Sequence, residues 1–515
     1  MDEYLNKIIA EFPKGSKDVW TVDDAMKGVS ILGGTGSGKT SASGRALALK
    51  YLEEGWGGVV LCAKTDEAEL WKKYCEEKGR TNDLIVFEKG AAHKEGAFAG
   101  QLMVFNPIDY ELKRPGEGAG ETQNITNIFM NIYRMGNRVA GEGEGGGKEE
   151  RFWDMALKRC LNRVIELLKL ADKPLSFKNM VQVLSSCANV NSEIFAQEIA
   201  SERSAESQDD ENFCLKCLID AYQKVQRKFE DDAVDAVETE SAFEMVYRYF
   251  TSDFNALGDK TRSTVTESFM GLAEPFLAGL LSKHFAGETN VFPEWSFDDD
   301  PRKGRPESKK IFILNFSVKE FLDMGIIAQC VFKLMFQQAA ERRDVGKHPI
   351  PVFLWADEVQ LFVNPYDQIF LTTARSKRVA TVFLTQNISN YLAVMGAGME
   401  SKAKVDSLLG NLSTKIFHAN MDAETNEYAS RLIGNALLPA GSESRQISKF
   451  RPDDNRSVGE AMVIQPQVFP REFTVLKSGG KENDFKVEAI MLVANRLWSN
   501  NTNYRLVTFT QSFAK

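Results

Sequence analysis

Histidine is scarce in this sequence. Four histidines stand far apart among 515 residues, at positions 93, 284, 348 and 418, so histidine-based metal sites and catalytic triads have little to build on. The seven cysteines are odd in number and irregularly spaced, which is unlike a disulfide framework and typical of reduced cytosolic thiols. Cys214 and Cys217 form a C-x-x-C pair without a second pair, and we expect two buried thiols there rather than a zinc site.

The sequence also lacks a long apolar run. No stretch approaches the ~20 apolar residues that a membrane span needs, and residues 1–24 lack the apolar core of a signal peptide. We therefore expect a cytoplasmic protein with no membrane span of its own. Positive charge is not in excess, because 63 Lys and Arg face 72 Asp and Glu, a net charge of −9. This excludes a protein that coats nucleic acid with its whole surface, but leaves open a local basic groove or pore.

Short apolar strands and amphipathic helices alternate in two parts of the chain. The first part has predicted strands at 28–32, 58–62 and 84–87, with helices at 41–54 and 66–78; the second has strands at 310–315, 351–356, 379–384 and 414–418, with a helix at 326–342. This alternation predicts an α/β fold with a parallel sheet. Residues 115–150 are rich in glycine and predict a loop or domain boundary, and the pattern from 152 to 284 is helical.

The strongest motif follows the first predicted strand. Residues 33–40 read GGTGSGKT and fit G-x-x-x-x-G-K-[ST] between a strand and a helix. Glycines allow successive backbone N–H groups to surround phosphate oxygens, and the start of the helix adds its positive dipole end. We expect Lys39 to reach the β- and γ-phosphates of ATP and Thr40 to bind Mg²⁺. The expected cofactor-binding residues are Gly34, Thr35, Gly36, Ser37, Gly38, Lys39, Thr40 and Ser41.

Two adjacent acids follow the strand at 352–356. In a P-loop enzyme the first acid after such a strand holds Mg²⁺, which predicts Asp357 as the metal-side acid. The second acid polarises the attacking water, which predicts Glu358 as the catalytic base. Alone, the two acids would be read as a solvated pair at the end of a strand, but the P-loop favours the catalytic interpretation.

Two further residues are candidates for catalysis. Gln386 lies just after the strand predicted at 379–384 and is the candidate sensor of the γ-phosphate; the alternative is a strand-capping amide. Arg375 lies in a basic block and is the candidate arginine finger, supplied across a subunit boundary. The alternatives for Arg375 are a solvated helix end and a contact to a phosphate backbone.

Several blocks, taken in order, resemble the TraG/TraD-type coupling ATPases of conjugation and type IV secretion, within the HerA/FtsK group of DNA-translocating motors. Besides the P-loop and the acid strand, the similar blocks are FNPID at 105–109, FWD at 152–154, LTQN at 384–387, STKIF at 413–417, DAETNEY at 422–428 and LIG at 432–434. The Arg375 block stands in the family's order. The resemblance spans roughly residues 30–470.

The resemblance implies a RecA-like P-loop NTPase core with a mainly parallel sheet and an inserted all-α domain. The patterns along the chain predict the first part of this nucleotide-binding domain at residues 1–150, the all-α domain at 151–290, and the second part at 291–515, with a tail of short strands and turns from residue 457 onward. The resemblance also implies homo-hexameric rings with ATP at subunit interfaces and DNA in a central channel. Lys39, Glu358, Gln386 and Arg375 would then be catalytic, with Thr40 and Asp357 at the metal.

Two features depart from the family pattern. The chain begins almost directly at the core, without the usual N-terminal membrane helices, which argues against a fixed place at a secretion channel. The second strand ends in Cys62-Ala63-Lys64, where the family often has Asp-Pro-Lys.

The sequence as a whole predicts an ATP-driven DNA translocase, a P-loop ATPase serving conjugation, a mobile element or defence. Its partners would be DNA and a secretion-channel component, a relaxase or a nuclease. Two alternatives stay open. One is a soluble HerA-like motor that acts with a nuclease, and the other is an adaptor that recruits protein substrates without moving DNA.

Overall fold

The computed structural model describes residues 2–88, 100–139, 148–200, 212–297, 309–396, 398–446 and 455–512. The strands in these ranges are β1 Ile8–Glu11, β2 Val19–Thr21, β3 Val29–Leu32, β4 Gly57–Leu61, β5 Leu84–Glu88, β6 Ile311–Asn315, β7 Val352–Ala356, β8 Val379–Thr385, β9 Thr414–Phe417, β10 Asn435–Gln446, β11 Asn455–Pro466, β12 Lys486–Val493 and β13 Tyr504–Thr510.

The same ranges of the chain also contain the helices. They are α1 Asp2–Leu5, α2 Val22–Met26, α3 Arg45–Glu53, α4 Thr65–Glu77, α5 Pro107–Lys113, α6 Thr122–Val139, α7 Lys148–Leu170, α8 Phe177–Ser186, α9 Ser192–Ala200, α10 Phe213–Glu230, α11 Ala236–Arg248, α12 Asp259–Ala273, α13 Gly279–Phe285, α14 Val318–Arg342, α15 Pro365–Ala374, α16 Ile388–Met395, α17 Met399–Gly410 and α18 Ala423–Ile433. None of these helices is both long and apolar enough to cross a membrane.

The chain forms two compact units. The first comprises Met1–Val60, Leu70–Arg80 and Ala340–Lys515, and the second comprises Leu61–Glu69 and Thr81–Ala339. Neither unit is continuous in sequence, so each is closed by contacts between residues far apart in the chain.

The first unit contains a mainly parallel sheet with the strand order β13-β12-β9-β3-β8-β7-β4. β3 pairs in parallel with both β8 and β9, β7 pairs in parallel with β8, and β12 runs antiparallel to β9 and β13. Every residue of β3, β4, β7, β8 and β9 is buried, which explains their continuous apolar sequences. Parallel strands place their carboxyl ends at one edge, so β3, β7, β8 and β9 all deliver their following residues there. The predicted α/β class with a parallel sheet is confirmed.

The second unit combines the parallel pair of β5 and β6 with helices α5 to α13. Within the described residues between 148 and 285 the structure has helices and no strand, as the sequence pattern predicted. Cys214 and Cys217 are buried free thiols on α10, also as predicted, and burial raises the pKa of Cys217 to about 12. The domain boundaries at 150 and 290 stay a prediction.

The prediction of a loop over residues 115–150 is wrong for more than half of that stretch. Residues Thr122–Val139 form α6 instead. Ile125, Phe129 and Ile132 recur at helical spacing and are buried, so the apolar face of α6 outweighs the glycines that flank it. The glycine-rich residues 140–147 lie outside the described residues.

In the tail from residue 457 onward, predicted as short strands and turns, β12 and β13 have eight and seven residues, whereas β11 is a longer strand that pairs with β10 ahead of the tail. β10 and β11 form a hairpin in which Asn435 pairs with Pro466 and Gln446 pairs with Asn455, over 12 residues in each strand. The sequence of β10 contains Pro439 and Gly441 among polar residues, so its strand tendency is weak and depends on its partner.

Candidate nucleotide-binding site

The phosphate loop lies between β3 and α3. Gly36 and Gly38 have φ of +76° and +86°, in the left-handed region that favours glycine. A Cβ added at Gly38 would also lie 2.7 Å from Cγ2 of Val487 on β12. After Lys39 the chain enters a π-helical turn, Thr40–Gly44, in which the Gly44 N–H donates to the Lys39 carbonyl at 2.8 Å. A glycine turn that opens a helix presents backbone N–H groups to an anion, so the local geometry suits a phosphate chain.

Thr40 and Asp357 meet at the carboxyl edge of the sheet. The Thr40 hydroxyl donates to Oδ2 of Asp357 at 2.6 Å, and Asp357 is 5% exposed at the end of β7. A hydroxyl and a carboxylate oxygen are hard oxygen donors of the kind that Mg²⁺ prefers, and Mg²⁺ needs few protein ligands because phosphate oxygens and water complete its shell. The pair therefore fits the predicted magnesium position.

The backbone of Glu358 is strained. Its φ is 48° and its ψ is 44°, a left-handed conformation that is uncommon outside glycine. Its N–H donates to Oδ1 of Asp357 at 2.9 Å, so the two acids fix each other's orientation. Such strain persists only where the surroundings hold it, and it is concentrated at functional sites.

Lys39 and two amides contact the Glu358 carboxylate. Lys39 Nζ lies 3.7 Å from Oε1, the Gln386 amide donates to Oε1 at 3.1 Å, and the Gln360 amide donates to Oε2 at 3.1 Å. The Thr35 hydroxyl in turn donates to Oε1 of Gln386 at 3.2 Å. The structure thus brings together the phosphate loop, the two acids and Gln386, although these residues come from distant parts of the sequence.

Arg375 lies outside this cluster. It caps the end of α15, its side chain is 61% exposed, and its guanidinium donates to Oδ1 of Asp23 at 3.1 and 3.2 Å. Burial acts to raise the pKa of Asp23, but the hydrogen bond and charge of Lys27, together with Arg375, hold that pKa below its usual value. An exposed guanidinium of this kind is accessible to a neighbouring copy.

Sequence reasoning did not find Gln360 and His418, whose side chains contact residues of the site. Gln360 links Glu358 to β8, because its Oε1 accepts from the Thr385 hydroxyl at 2.8 Å. His418, set aside with the other histidines, has Nε2 at 2.7 Å from the Ser43 hydroxyl. Burial lowers the pKa of His418 to about 3, with a further contribution from the charge of Lys39, so the imidazole stays neutral. The available signal was position, since Gln360 follows the acid pair and His418 ends a predicted strand.

The strand end that departs from the family pattern is braced without an aspartate. Gln329 on α14 accepts from the Cys62 N–H at 2.7 Å and donates to the Cys62 carbonyl at 3.0 Å. Glu67 accepts from the Ala63 N–H at 2.7 Å. Both lie in the second unit, and they satisfy backbone groups of this loop that would otherwise be buried without partners.

Comparison with known proteins gives one family match and several structural matches. The family model described as the TraM recognition site of TraD and TraG matches residues 351–469, the stretch that contains Asp357, Glu358, Arg375 and Gln386. The resemblance to the TraG/TraD-type coupling ATPases is confirmed. No curated protein matches the chain in sequence.

The solved structures similar to this chain include several of the coupling protein TrwB. The unbound bacterial conjugative coupling protein TrwBdeltaN70 matches with a TM-score of 0.56 and 14% identity, over 98% of this chain and 90% of that one. TrwB in complex with ADP and Mg²⁺ matches with a TM-score of 0.55 and 13% identity, over 99% and 92%. At these identities the likeness concerns the fold. The predicted TraG/TraD-type fold, a core with a mainly parallel sheet and an additional helical part, is thereby confirmed.

Proposed function

We propose that this protein is an ATP-driven DNA translocase of the TraG/TraD coupling type. The observation that carries the proposal is the cluster at the carboxyl edge of the sheet, where Lys39 and Thr40 meet Glu358 and Asp357. P-loop enzymes hydrolyse nucleoside triphosphates with these groups: a phosphate loop, a metal-side acid, a base and a polar sensor.

Each residue of the cluster has a proposed role. The loop N–H groups from Gly34 to Ser41 bind the phosphate chain, and Lys39 leaves Glu358 to neutralise the β- and γ-phosphates. Thr40 and Asp357 hold Mg²⁺, which supplies positive charge against the phosphate oxygens when bound. Glu358 then accepts the proton of the water that attacks the γ-phosphorus, while Gln386 orients that water or the γ-phosphate.

Assembly of several copies would complete the site. Arg375 is exposed and pairs with Asp23 within its own chain, so we propose that it stabilises the transition state in the neighbouring subunit of a homo-hexamer. DNA would pass through the central channel and contact the protein through its phosphates. The solved TrwB complexes with ADP and Mg²⁺, and with the ATP analogue ADPNP, support nucleotide binding by this fold.

A protein partner is the second part of the proposal. The matching family model is described as a TraM recognition site, and it reaches through the hairpin of β10 and β11. We propose that residues 351–469 also bind an accessory protein of a DNA-processing complex, such as a relaxase assembly. A motor that works with a nuclease shares the same chemistry, whereas a pure adaptor would have no need for the Glu358 cluster.

The decisive experiment is ATP hydrolysis by the purified chain with Mg²⁺, with single-stranded DNA, double-stranded DNA or none, at low and moderate salt. We expect stimulation by DNA that falls as salt rises and does not depend on base sequence. Lys39→Ala should remove the activity. Turnover that ignores DNA, or that survives in Lys39→Ala, would reject the translocase proposal.

A further inference from the structure

The three residues after β9 run directly beside the phosphate loop. β9 pairs in parallel with β3, so His418, Ala419 and Asn420 continue alongside the turn that starts at Gly33. The His418 N–H donates to the Leu32 carbonyl at 2.8 Å, and the Gly34 N–H donates to the Ala419 carbonyl at 2.9 Å. The backbone of residues 418–420 is therefore fixed to the loop that would bind phosphate.

The side chain of His418 contacts the helical turn that follows the phosphate loop. Its Nε2 lies 2.7 Å from the Ser43 hydroxyl, which in turn lies 3.2 Å from the Lys39 carbonyl oxygen and donates to it. His418 is 1% exposed, so water does not compete for this contact. A neutral, buried ring in a chain of short contacts fixes the turn that carries Lys39.

Asn420 reaches the other side of the site. Its Nδ2 donates to the backbone carbonyl of Gln386 at 2.8 Å, and its Oδ1 accepts from the Asp422 N–H at 3.0 Å. It is 4% exposed, and its own N–H donates to the Phe473 carbonyl at 3.1 Å. Asn420 thereby sets the backbone of the residue whose side chain contacts Glu358.

We propose that residues 418–420 are a positioning segment that aligns the phosphate loop and Gln386 with each other. This deepens the proposed function and rests on it. Its two ends act on different steps: His418 acts through Ser43 on the loop that binds nucleotide, and Asn420 acts through Gln386 on the group beside the catalytic base. Loss of the first should weaken nucleotide binding, and loss of the second should slow the chemical step.

Two substitutions separate these effects. Ser43→Ala removes the hydroxyl between His418 and Lys39 with little change in volume. Asn420→Asp keeps the size and the acceptor for Asp422, but turns a carboxylate oxygen toward the Gln386 carbonyl, where the two oxygens repel. A matched control is Asn503→Asp, because the Asn503 amide likewise donates to a backbone carbonyl, that of Ile433 at 3.0 Å.

The measurements are the KM and kcat of MgATP hydrolysis with DNA, the affinity for fluorescent mant-ATP, and the melting temperature. Ser43→Ala should raise KM and the mant-ATP Kd about fivefold with kcat nearly unchanged, the effect of one lost buried hydrogen bond. Asn420→Asp should lower kcat by roughly tenfold or more while the Kd changes little. Asn503→Asp should retain both kcat and Kd.

Two results would overturn the positioning role. One is a loss of kcat in Asn420→Asp no larger than that in Asn503→Asp. The other is the same change of the same parameter in Ser43→Ala and Asn420→Asp, since that would indicate general destabilisation. Failure of the ATPase proposal would be recognised separately, by a wild-type chain that hydrolyses no more ATP than Lys39→Ala.

Discussion

Glu358 combines features that rarely occur together in one residue. It is buried, its backbone is left-handed, and its carboxylate is shared between Lys39 and two amides. The Lys39 ammonium lies 3.7 Å from the carboxylate, which is longer than a charge-assisted hydrogen bond. The site thus holds a carboxylate oriented by amides beside a lysine that is available to a phosphate.

Glu358→Gln should therefore separate binding from hydrolysis. The amide keeps the size and the hydrogen-bond acceptor but cannot accept a proton from water, so kcat should fall by about 10²–10⁴-fold. Affinity for mant-ATP should be retained or should increase, because Lys39 is released from its ion pair. The control is Glu166→Gln, which replaces a carboxylate that accepts from the Thr122 hydroxyl at 2.5 Å between α6 and α7 and should hydrolyse ATP normally. A kcat in Glu358→Gln close to that of the wild type would exclude Glu358 as the base.

Gly38 offers a test of the loop itself. Gly38→Ala adds a methyl group at φ +86° that would overlap Val487, so the loop must shift and its affinity for mant-ATP should fall at least tenfold. Gly55→Ala is the matched control, because Gly55 has a φ of +74° and open space around it. Both variants should lose about 1–2 kcal/mol of unfolding free energy from the left-handed backbone. Equal nucleotide affinity in the two variants would contradict a phosphate role for this turn.

In the first unit, residues near the N-terminus contact residues near the C-terminus. Asp18, just before β2, accepts from the N–H and the hydroxyl of Ser499 at 2.7 Å each, and Arg505 on β13 lies 3.4 Å from it. Arg496 donates to Asp24 at 2.8 Å and to the Val19 carbonyl. These contacts connect the N-terminal strands to the region around β12 and β13, whose Val487 packs against the phosphate loop.

The contact of Asp18 predicts a pH-dependent stability. Burial acts to raise the Asp18 pKa, but the Ser499 hydrogen bonds and the two arginines hold it below 3.8. A lowered folded-state pKa contributes stability that is present above the unfolded pKa and is lost as the pH falls through the folded pKa. Asp18→Asn should thus cost about 1–3 kcal/mol at pH 7 and progressively less below about pH 4. Melting temperatures from pH 3 to 8 test this, with the exposed Asp406→Asn as the reference for the loss of a carboxylate. A constant difference for Asp18→Asn would contradict the prediction.

Local signals account for the parts of the fold and of the site that sequence reasoning found. The GGTGSGKT loop and the acids after β7 are contiguous patterns, so their positions follow from neighbouring residues alone. The parts that were missed depend on distant partners. Ser43 and His418 meet across 375 positions, and β10 becomes a strand only beside β11. No short window of sequence contains both members of such a pair, so these contacts can be recognised only in the folded structure.

The position of Arg375 bears on whether one chain can hydrolyse ATP without a neighbouring copy. Within its own chain the guanidinium is paired with Asp23, which itself is shared with Lys27. An exposed ion pair of this kind contributes little to stability, so releasing Arg375 to a neighbour costs little. A finger supplied from outside would make hydrolysis depend on assembly, and it predicts that two inactive variants can restore each other.

Mixing Arg375→Ala with Lys39→Ala provides that test. Each variant alone should be inactive, the first by roughly a thousandfold because it lacks the charge that stabilises the transition state. In mixed rings an intact loop from Arg375→Ala can face an intact arginine from Lys39→Ala, which in a random equal mixture occurs at about a quarter of the interfaces of a cyclic ring. ATP hydrolysis should therefore recover on mixing and should not recover when Arg375→Ala is mixed with Arg375→Ala/Lys39→Ala. A mixture that stays inactive, although an affinity tag on one variant co-purifies the untagged other, would place the role of Arg375 within its own chain, at Asp23.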